Sequence, residues 1–247
     1  MASGSSNHQI SKPLADNLHC YLWYGHGNNC NSCLFTNVLE GNRPHILIDP
    51  GHTFNEMQED CLNSLREAIK IDGFSIDDVG LIINTHSHID HCEANDTLSR
   101  KHPIRIAMSK SEEDFRHTLG DRMNTMFGVE SPKFTTSLYL QEGILALGKE
   151  KKKLELQVLI TPGHSPGSVC LYWPVKKVLI TGDVLFFGSI GRTDFPGGQL
   201  SALKESINRL SQLDIDTIVP GHNTELGDII KGKNVHRNFQ AIKTYFG

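Results

Sequence analysis

Long apolar runs are missing from this chain of 247 residues. No run approaches the roughly 20 residues that a membrane-spanning helix needs, so the sequence does not favour membrane insertion. Residues 1–11 are rich in Ser, Gly and Asn and lack the apolar core of a secretory signal. We therefore expect a cytoplasmic protein, in which residues 1–12 form a disordered tail and residues 13–247 form one domain.

A surplus of one charge sign is also missing, because 24 basic side chains stand against 28 acidic ones for a formal net charge of -4. This balance provides no electrostatic footprint for nucleic acid or for an anionic membrane. We expect a small-molecule substrate as the partner, with neither nucleic acid nor membrane. The oligomeric state stays open, and a homodimer is one option.

Cysteine is too sparse and too scattered for a disulfide framework. Six cysteines in a chain without an export signal favour free thiols. Cys30 and Cys33 form a CxxC pair, but no second such pair completes a zinc site. We interpret these two residues as incidental strand cysteines rather than as a redox or metal motif.

Apolar patterning predicts an α/β fold. Short apolar runs predict strands near residues 19–24, 33–38, 45–48, 79–83, 154–160, 168–172, 177–180 and 217–219. Helical spacing predicts helices over residues 54–71, 93–101, 109–122, 199–213 and 234–245. Two strand-rich halves with outer helices predict paired sheets covered on both sides.

The residues that carry chemistry gather first in THSHIDH at residues 85–91. His86 and His88 stand two apart on extended backbone, so their side chains project to the same side and can share one metal ion. If the chain then turns, Asp90 and His91 can reach a second ion. The motif lies between a predicted strand and a predicted helix, where open α/β sheets place their ligands.

Further candidate ligands follow later strands, each in a tight loop with glycine. These are His164 in TPGHSPGS, Asp183 in TGD and His222 in PGHN. A first-row metal needs more ligands than the first motif supplies, and a carboxylate at Asp183 is well placed to bridge two cations. Any one of these histidines alone is more often a surface or core residue, but their combination favours a metal centre.

The motifs THSHIDH, TPGHSPGS, GDVLFFGSIGRTDFPGG and VPGHN, with IDPG at residues 48–51, resemble the metallo-β-lactamase superfamily. The closest resemblance is to its glyoxalase II-like, or hydroxyacylglutathione hydrolase-like, branch. This implies a four-layer αββα sandwich with metal 1 on His86, His88 and His164. It also implies metal 2 on Asp90, His91 and His222, a bridging Asp183, and Asp49 orienting the site through hydrogen bonds.

The resemblance implies a dinuclear metallo-hydrolase that activates a bridging hydroxide for attack on a thioester carbonyl. Asp90 and Asp183 would be its catalytic carboxylates. The expected cofactors are two divalent ions per chain, with zinc first and iron or manganese also accommodated. Arg192 stands where that branch has a basic substrate-binding residue, and would hold a carboxylate of a glutathione thioester. A structural salt bridge is the alternative role for Arg192.

Other members of the superfamily define the alternatives. Persulfide dioxygenases resemble the chain in GRTDF and would hold one iron with His86, His164 and Asp183. Zinc β-lactamases of the main class carry cysteine in place of Asp183, and acyl-homoserine lactonases carry tyrosine in place of Phe186. A non-catalytic sensor is a further class, against which the complete ligand set argues.

The substrate is the least defined part of this prediction. Glyoxalase II proper continues into a helical domain that completes its glutathione site, whereas this sequence ends soon after His222. We expect the pocket walls to come from residues 123–133, residues 185–198 and the last helix. The acyl and thiol parts of the substrate stay open.

Overall fold

The computed structural model describes residues 7–10, 13–149 and 153–246. The strands in these ranges are β1 (His8–Ile10), β2 (Leu18–Trp23), β3 (Ser32–Phe35), β4 (His45–Ile48), β5 (Val79–Ile83), β6 (Arg105–Ser109), β7 (Leu138–Leu140), β8 (Gly143–Leu147), β9 (Leu154–Ile160), β10 (Val169–Trp173), β11 (Val178–Gly182), β12 (Leu185–Phe186), β13 (Ser189–Ile190), β14 (Thr217–Pro220) and β15 (Ile230–Lys231). The α-helices are α1 (Cys61–Ile71), α2 (Ile89–Cys92), α3 (Ala94–Lys101), α4 (Lys110–Phe115), α5 (Asp121–Met126), α6 (Leu200–Leu210) and α7 (Lys233–Ile242).

The strands form two large sheets. The first has the order β1-β2-β3-β4-β5-β6-β7, antiparallel from β1 to β4 and parallel from β4 to β7. The second has the order β15-β14-β11-β10-β9-β8, in which β11 and β14 are parallel and the other pairs antiparallel. Strands β12 and β13 pair as a separate hairpin.

An apolar core fills the space between the two sheets. Phe35 and Ile83 from the first sheet belong to the same buried cluster as Leu171 and Ile180 from the second. The ring of Phe35 lies 5.5 Å from that of Trp173, in the edge-to-face arrangement that aromatic pairs prefer. Burial of these side chains stabilises the contact between the sheets by roughly 1.5–3 kcal/mol for each.

Helices cover the outer face of each sheet. Leu65 of α1 and Leu98 of α3 pack in one cluster with Ile82 of the first sheet. Ile207 of α6 and Phe239 of α7 pack in another cluster with strands of the second sheet. The four layers confirm the predicted αββα sandwich. Among the described residues, none of the helices combines the length and the apolar character needed to cross a membrane.

Helix α1 is shorter at its start than the sequence predicts. The apolar spacing predicted a helix over residues 54–71, but α1 begins at Cys61, where the Asp60 side chain accepts a hydrogen bond from the Asn63 N–H at 3.0 Å. Before that point, Asn55 Oδ1 accepts from the N–H groups of Met57 and Glu59. These side-chain bonds compete with helical backbone bonds and leave a short loop at the mouth of a cleft.

Part of the predicted tail, residues 1–12, is ordered. His8–Ile10 pairs with β2, and the His8 ring nitrogen Nδ1 lies 3.0 Å from Ser64 Oγ of α1. The prediction of disorder is therefore wrong for these three residues, because strand pairing and a buried histidine fix them. Residues 1–6 and 11–12 lie outside the described residues.

Candidate metal centre

The first histidine motif occupies the turn between β5 and α2. Backbone hydrogen bonds connect this turn to both sheets. The Asn84 N–H donates to Ala107 O of β6 at 2.9 Å, and the Val169 N–H of β10 donates to Thr85 O at 2.8 Å. His88 has extended backbone angles (φ -62, ψ 146) and immediately precedes α2. The motif thus presents two imidazoles before the helix begins and two further side chains from its first turn.

The first ligand group contains His86, His88 and His164, all buried. Nδ1 of His88 lies 3.1 Å from Nε2 of His86 and 2.8 Å from Nε2 of His164. Gly163, with φ +135, brings His164 into this position, and a Cβ atom at Gly163 would lie only 2.3 Å from the Leu203 nitrogen. Glycine is required there because no residue with a Cβ atom fits.

The second ligand group contains Asp90, His91 and His222. Nε2 of His222 lies 3.2 Å from Nε2 of His91 and 3.2 Å from Oδ2 of Asp90. A side-chain carbon at Gly221 would approach Oδ1 of Asp183 to 2.2 Å, which explains the glycine before His222.

Asp183 lies between the two groups. Its Oδ2 atom is 3.6 Å from His164 Nε2 and 3.4 Å from His222 Nε2, and its Oδ1 atom is 3.2 Å from His91 Nε2. The structure therefore brings all seven sequence-predicted ligands together. Asp183 also forms a third candidate group with His86 and His91, so the division into two sets stays a prediction.

Hydrogen bonds from outside the two groups orient the imidazoles. The Asp49 carboxylate accepts from the Thr85 N–H at 2.8 Å, from Thr85 Oγ1 at 2.6 Å and from His91 Nδ1 at 3.0 Å. His164 Nδ1 donates to the Arg192 carbonyl at 2.8 Å. Because a carboxylate and a carbonyl only accept, these Nδ1 atoms carry the ring protons and the Nε2 lone pairs point inward.

The electrostatics differ between the first ligand group and the imidazoles next to Asp183. Burial lowers the pKa of His86, and it lowers the pKa of His88 to about 3, so both rings are neutral. Burial alone would raise the pKa of Asp90 and of Asp183, but the adjacent His91 and His222 bring the pKa of both carboxyl groups well below the ordinary aspartate value. Burial alone would lower the pKa of His91 and of His222, but the Asp183 carboxylate raises the pKa of His91 well above the ordinary histidine value and that of His222 to about 10. Each of these two rings therefore carries an extra proton that a metal ion would displace, since neutral imidazoles and ionised carboxylates are the forms that bind metal.

The donor set fits a cation. Oδ1 of Asp183 is buried without a hydrogen bond among the described residues, yet it faces His91 Nε2 at 3.2 Å. The His91 proton on Nδ1 is committed to Asp49, so two acceptor atoms approach each other. A metal ion or an added proton must stabilise this approach, and a set of imidazoles and carboxylates is suited to first-row divalent ions.

Glu112 is a buried residue of the site that the sequence analysis missed. Its Oε1 atom accepts from Ser87 N–H at 2.9 Å and Ser87 Oγ at 2.8 Å. Its Oε2 atom accepts from Ser165 Oγ at 2.8 Å and Gly167 N–H at 2.9 Å. One carboxylate thus joins the two loops that carry the first ligand group. The pattern Ser-x-x-Glu at residues 109–112 indicates a helix start, but not these distant contacts.

Asn28 was also missed. Its Nδ2 atom donates to Asp90 Oδ2 at 2.8 Å from the loop before β3. Glu59 fixes this loop by accepting from the N–H groups of His26 and Gly27. In the same loop region, Cys30 is fully buried, and burial raises the pKa of its thiol to about 12, so it remains protonated.

A cleft of about 970 Å³ opens above the ligand groups. Residues 123–133 and 185–198 contribute to its walls as expected, but α7 contributes none of the described lining residues. The prediction for α7 was wrong because this helix packs against the second sheet. Arg192 lines the cleft and pairs with Asp194. The Nε–Oδ1 distance is 3.0 Å and the Nη2–Oδ2 distance is 2.6 Å.

Comparison with known sequences gives a consistent family match. The family model described as Metallo-beta-lactamase superfamily matches residues 29–222. A protein named "Probable metallo-hydrolase" from Methanocaldococcus jannaschii is 34% identical over 212 residues, which cover 83% of this chain and 92% of that protein. Hydroxyacylglutathione hydrolase GloC from Haemophilus influenzae is 35% identical over 151 residues, which cover 58% of this chain and 68% of that protein.

Comparison with solved structures gives the same fold. The protein TTHA1623 in a di-iron-bound form matches with a TM-score of 0.61 and 28% identity, over 81% of this chain and 93% of that one. The BLEG-1 B3 metallo-beta-lactamase matches with a TM-score of 0.63 and 26% identity, over 84% and 90%. These matches, which span more than four fifths of each chain, support the family assignment and the four-layer fold.

Proposed function

The chain belongs to the metallo-beta-lactamase superfamily, and we propose that it is a dinuclear metallo-hydrolase that cleaves thioesters. The observation that carries the proposal is the pair of three-residue ligand groups with Asp183 between them. The likeness to a hydroxyacylglutathione hydrolase supports thioesters as the class of substrate.

In this proposal His86, His88 and His164 hold one ion, Asp90, His91 and His222 hold the other, and Asp183 serves both. Two bound divalent ions would lower the pKa of water towards neutrality and polarise a carbonyl group. Zinc is the first choice for this ligand set, and iron is included because a similar protein carries two iron ions.

The protein's own residues would orient the reaction. Asn28 donates to one oxygen of Asp90 at 2.8 Å, so this carboxylate is positioned to align an attacking water and to accept its proton. Asp49 and the Arg192 carbonyl keep two imidazoles in place during this step. A thiolate departs without a proton donor, so these groups are sufficient for thioester cleavage.

Elemental analysis combined with a thiol-release assay tests the proposal. The purified protein is loaded with zinc or with iron, and thioesters of several thiols are supplied. We expect about two metal ions per chain and metal-dependent thiol release. One iron per chain with oxygen consumption on glutathione persulfide would overturn the proposal in favour of a dioxygenase. A metal-loaded protein that leaves every thioester intact would also overturn it.

A further inference from the structure

Most of the exposed surface of the cleft above the ligand groups is apolar, although polar residues form the larger part of its lining. Large apolar side chains contribute to this surface. They include Phe54, Ile89, Phe127, Val129, Phe186 and Phe195. Phe54 is 51% exposed and Phe127 is 59% exposed, which is unusual for large apolar side chains that line one concave surface. Contact with an apolar ligand group would remove this surface from water.

Aromatic rings continue from the mouth of the cleft to both ligand groups. The Phe127 ring lies 6.0 Å from that of Phe195, which in turn lies 6.1 Å from the His88 ring. On the other side, the Phe186 ring lies 6.0 Å from the His222 ring. A substrate carbonyl placed between the ligand groups would therefore have aromatic surface along its acyl or thiol arm.

The basic side chains on the cleft walls, Arg192 and His52, each have an acidic partner. Of the described residues that line the cleft, Arg192 is the only lysine or arginine. Its guanidinium makes two hydrogen bonds to Asp194 and lies 4.0 Å from the centre of the Phe195 ring. His52 pairs with Glu93 at 2.8 Å. Asp194 occupies two of the N–H groups of Arg192, so a ligand carboxylate at the remaining N–H groups would lie next to a carboxylate of like charge.

One carboxylate on the cleft wall, that of Glu56, has no cationic partner among the described contacts. Glu56, Glu93 and Glu130 line the cleft, and Glu93 is the partner of His52. Glu130 pairs with Lys133 at 2.6 Å, whereas the bond described for Glu56 is to the Asn28 backbone N–H at 2.8 Å. A glutathione thioester carries two carboxylates and one ammonium group, so its peptide arm has a net negative charge and would be repelled by Glu56.

We infer that the substrate of this site is a thioester with an apolar arm and no carboxylate, rather than a glutathione thioester. This inference rests on the proposed thioester hydrolysis and assigns its substrate class. Phe127 and Phe195 would contact the apolar arm, and Glu56 would disfavour an anionic one. Arg192 then has the structural role of fixing the Asp194 and Phe195 side chains.

Matched substrates test separately the apolar surface and the charge of the substrate arm. Phenylacetyl and acetyl thioesters of N-acetylcysteamine differ in apolar surface, and phenylacetyl thioesters of N-acetylcysteamine and glutathione differ in charge. We expect kcat/KM to be about tenfold or more higher for phenylacetyl than for acetyl, and for the neutral thiol than for glutathione. Equal values, or a preference for glutathione, would overturn the inference while leaving thioester hydrolysis intact.

Two variants in the cleft and one control outside it test which residues cause the substrate preference. Phe127→Ala should remove most of the phenylacetyl advantage, whereas Val175→Ala, which shortens another exposed apolar side chain outside the cleft, should leave it unchanged. Glu56→Lys should raise relative activity on the glutathione thioester by about tenfold. The inference fails if Phe127→Ala and Val175→Ala behave alike while both variants keep the melting temperature of the wild type.

A binding measurement tests the ligand preference of the cleft independently of catalysis. Calorimetric titration with S-benzyl-N-acetylcysteamine and S-benzylglutathione compares neutral and anionic thioethers that cannot be hydrolysed. We expect the neutral thioether to bind about tenfold more tightly, and Phe127→Ala to weaken it. If no thioester is cleaved but this preference is present, the proposed reaction is wrong and the apolar, carboxylate-free ligand class stands. Tighter binding of S-benzylglutathione would overturn that class.

Discussion

Asp183 contributes charge to both ligand groups, so we expect replacement by an uncharged residue to affect both. Asp183→Asn keeps the shape of the side chain but removes the negative charge between His91 and His222. We expect less than two metal ions per chain and a loss of kcat/KM of roughly 10³-fold or more. Elemental analysis and thiol release measure these effects. A variant with two ions and full turnover would contradict the assignment of Asp183.

Asp49 acts through His91 and Thr85 rather than on substrate. Its φ is +49, which asparagine tolerates, so Asp49→Asn tests the carboxylate without adding backbone strain. An amide cannot accept all three hydrogen bonds, so we expect metal affinity to fall by about 10–100-fold. Competition with a chromogenic chelator measures this affinity. Unchanged affinity would show that Asp49 only supports the turn.

Single residues divide clearly into those that sequence predicts and those that it does not. The seven candidate ligands stand in short motifs at strand ends, so local spacing was sufficient to find them. Glu112 and Asn28 act through contacts with residues 25–62 positions away, and no local pattern reports such contacts. The Arg192–Asp194 pair was one of two roles predicted for Arg192.

Glu112 connects helix α4 to two loops through hydrogen bonds to its carboxylate. In Glu112→Gln, an amide N–H₂ would face the donors Ser165 or Ser87, leaving buried polar groups unsatisfied. We expect the free energy of unfolding to fall by about 1–3 kcal/mol, together with weaker metal binding.

Urea unfolding of the metal-free protein measures this effect. The matched control is Asp114→Asn on the same helix, where an exposed carboxylate pairs with Lys110. We expect a change of less than about 1 kcal/mol in this control. Equal stability of the two variants would show that Glu112 is not required to join the loops.

Strand β1 is attached to helix α1 through His8, which is 3% exposed. Burial lowers the pKa of this histidine from 6.5 to about 3, so the folded protein keeps it neutral. Below pH 6.5 the unfolded chain binds a proton that the folded chain does not, and stability falls as the pH is lowered towards 3.

We therefore expect wild type to lose about 1.4 kcal/mol more than His8→Gln between pH 7.5 and 5.5. Urea unfolding at the two pH values measures this difference. Parallel losses in the two proteins would show that another group controls the pH dependence of stability.

The bounds of elements were predictable where apolar runs end abruptly. Strands β4, β5 and β9 lie where their apolar runs predicted. The start of α1 was not predictable from apolar spacing, since the Asn55 side chain redirects the preceding residues. Strands β12, β13 and β15 have two residues each, too few to show a period.

For the whole molecule, the number and order of motifs predicted the sandwich, but not the character of the cleft. Phe127, Phe195, Glu56 and Glu130 come from separate segments, and only the folded chain brings them around one volume. The apolar surface and the charge of the cleft are therefore properties of the fold rather than of any one segment. The role of Arg192 in binding a glutathione thioester stays a prediction from the sequence motif.

Metal removal should destabilise the whole molecule, because the ligands come from loops of both sheets and a bound ion would connect those loops. We expect a chelator to lower the melting temperature, and zinc at 100 times its dissociation constant to restore about 2.7 kcal/mol. Differential scanning calorimetry across a zinc series measures this. A melting temperature independent of zinc would contradict binding at these residues.

The connection between β7 and β8 divides the chain into its two sheets. The earlier part supplies His86, His88, Asp90 and His91, and the later part supplies His164, Asp183 and His222. Each ligand group is therefore incomplete in either part. If the chain were expressed as two fragments divided there, metal concentration would govern their reassembly, and the protein would become a zinc-responsive complementation pair.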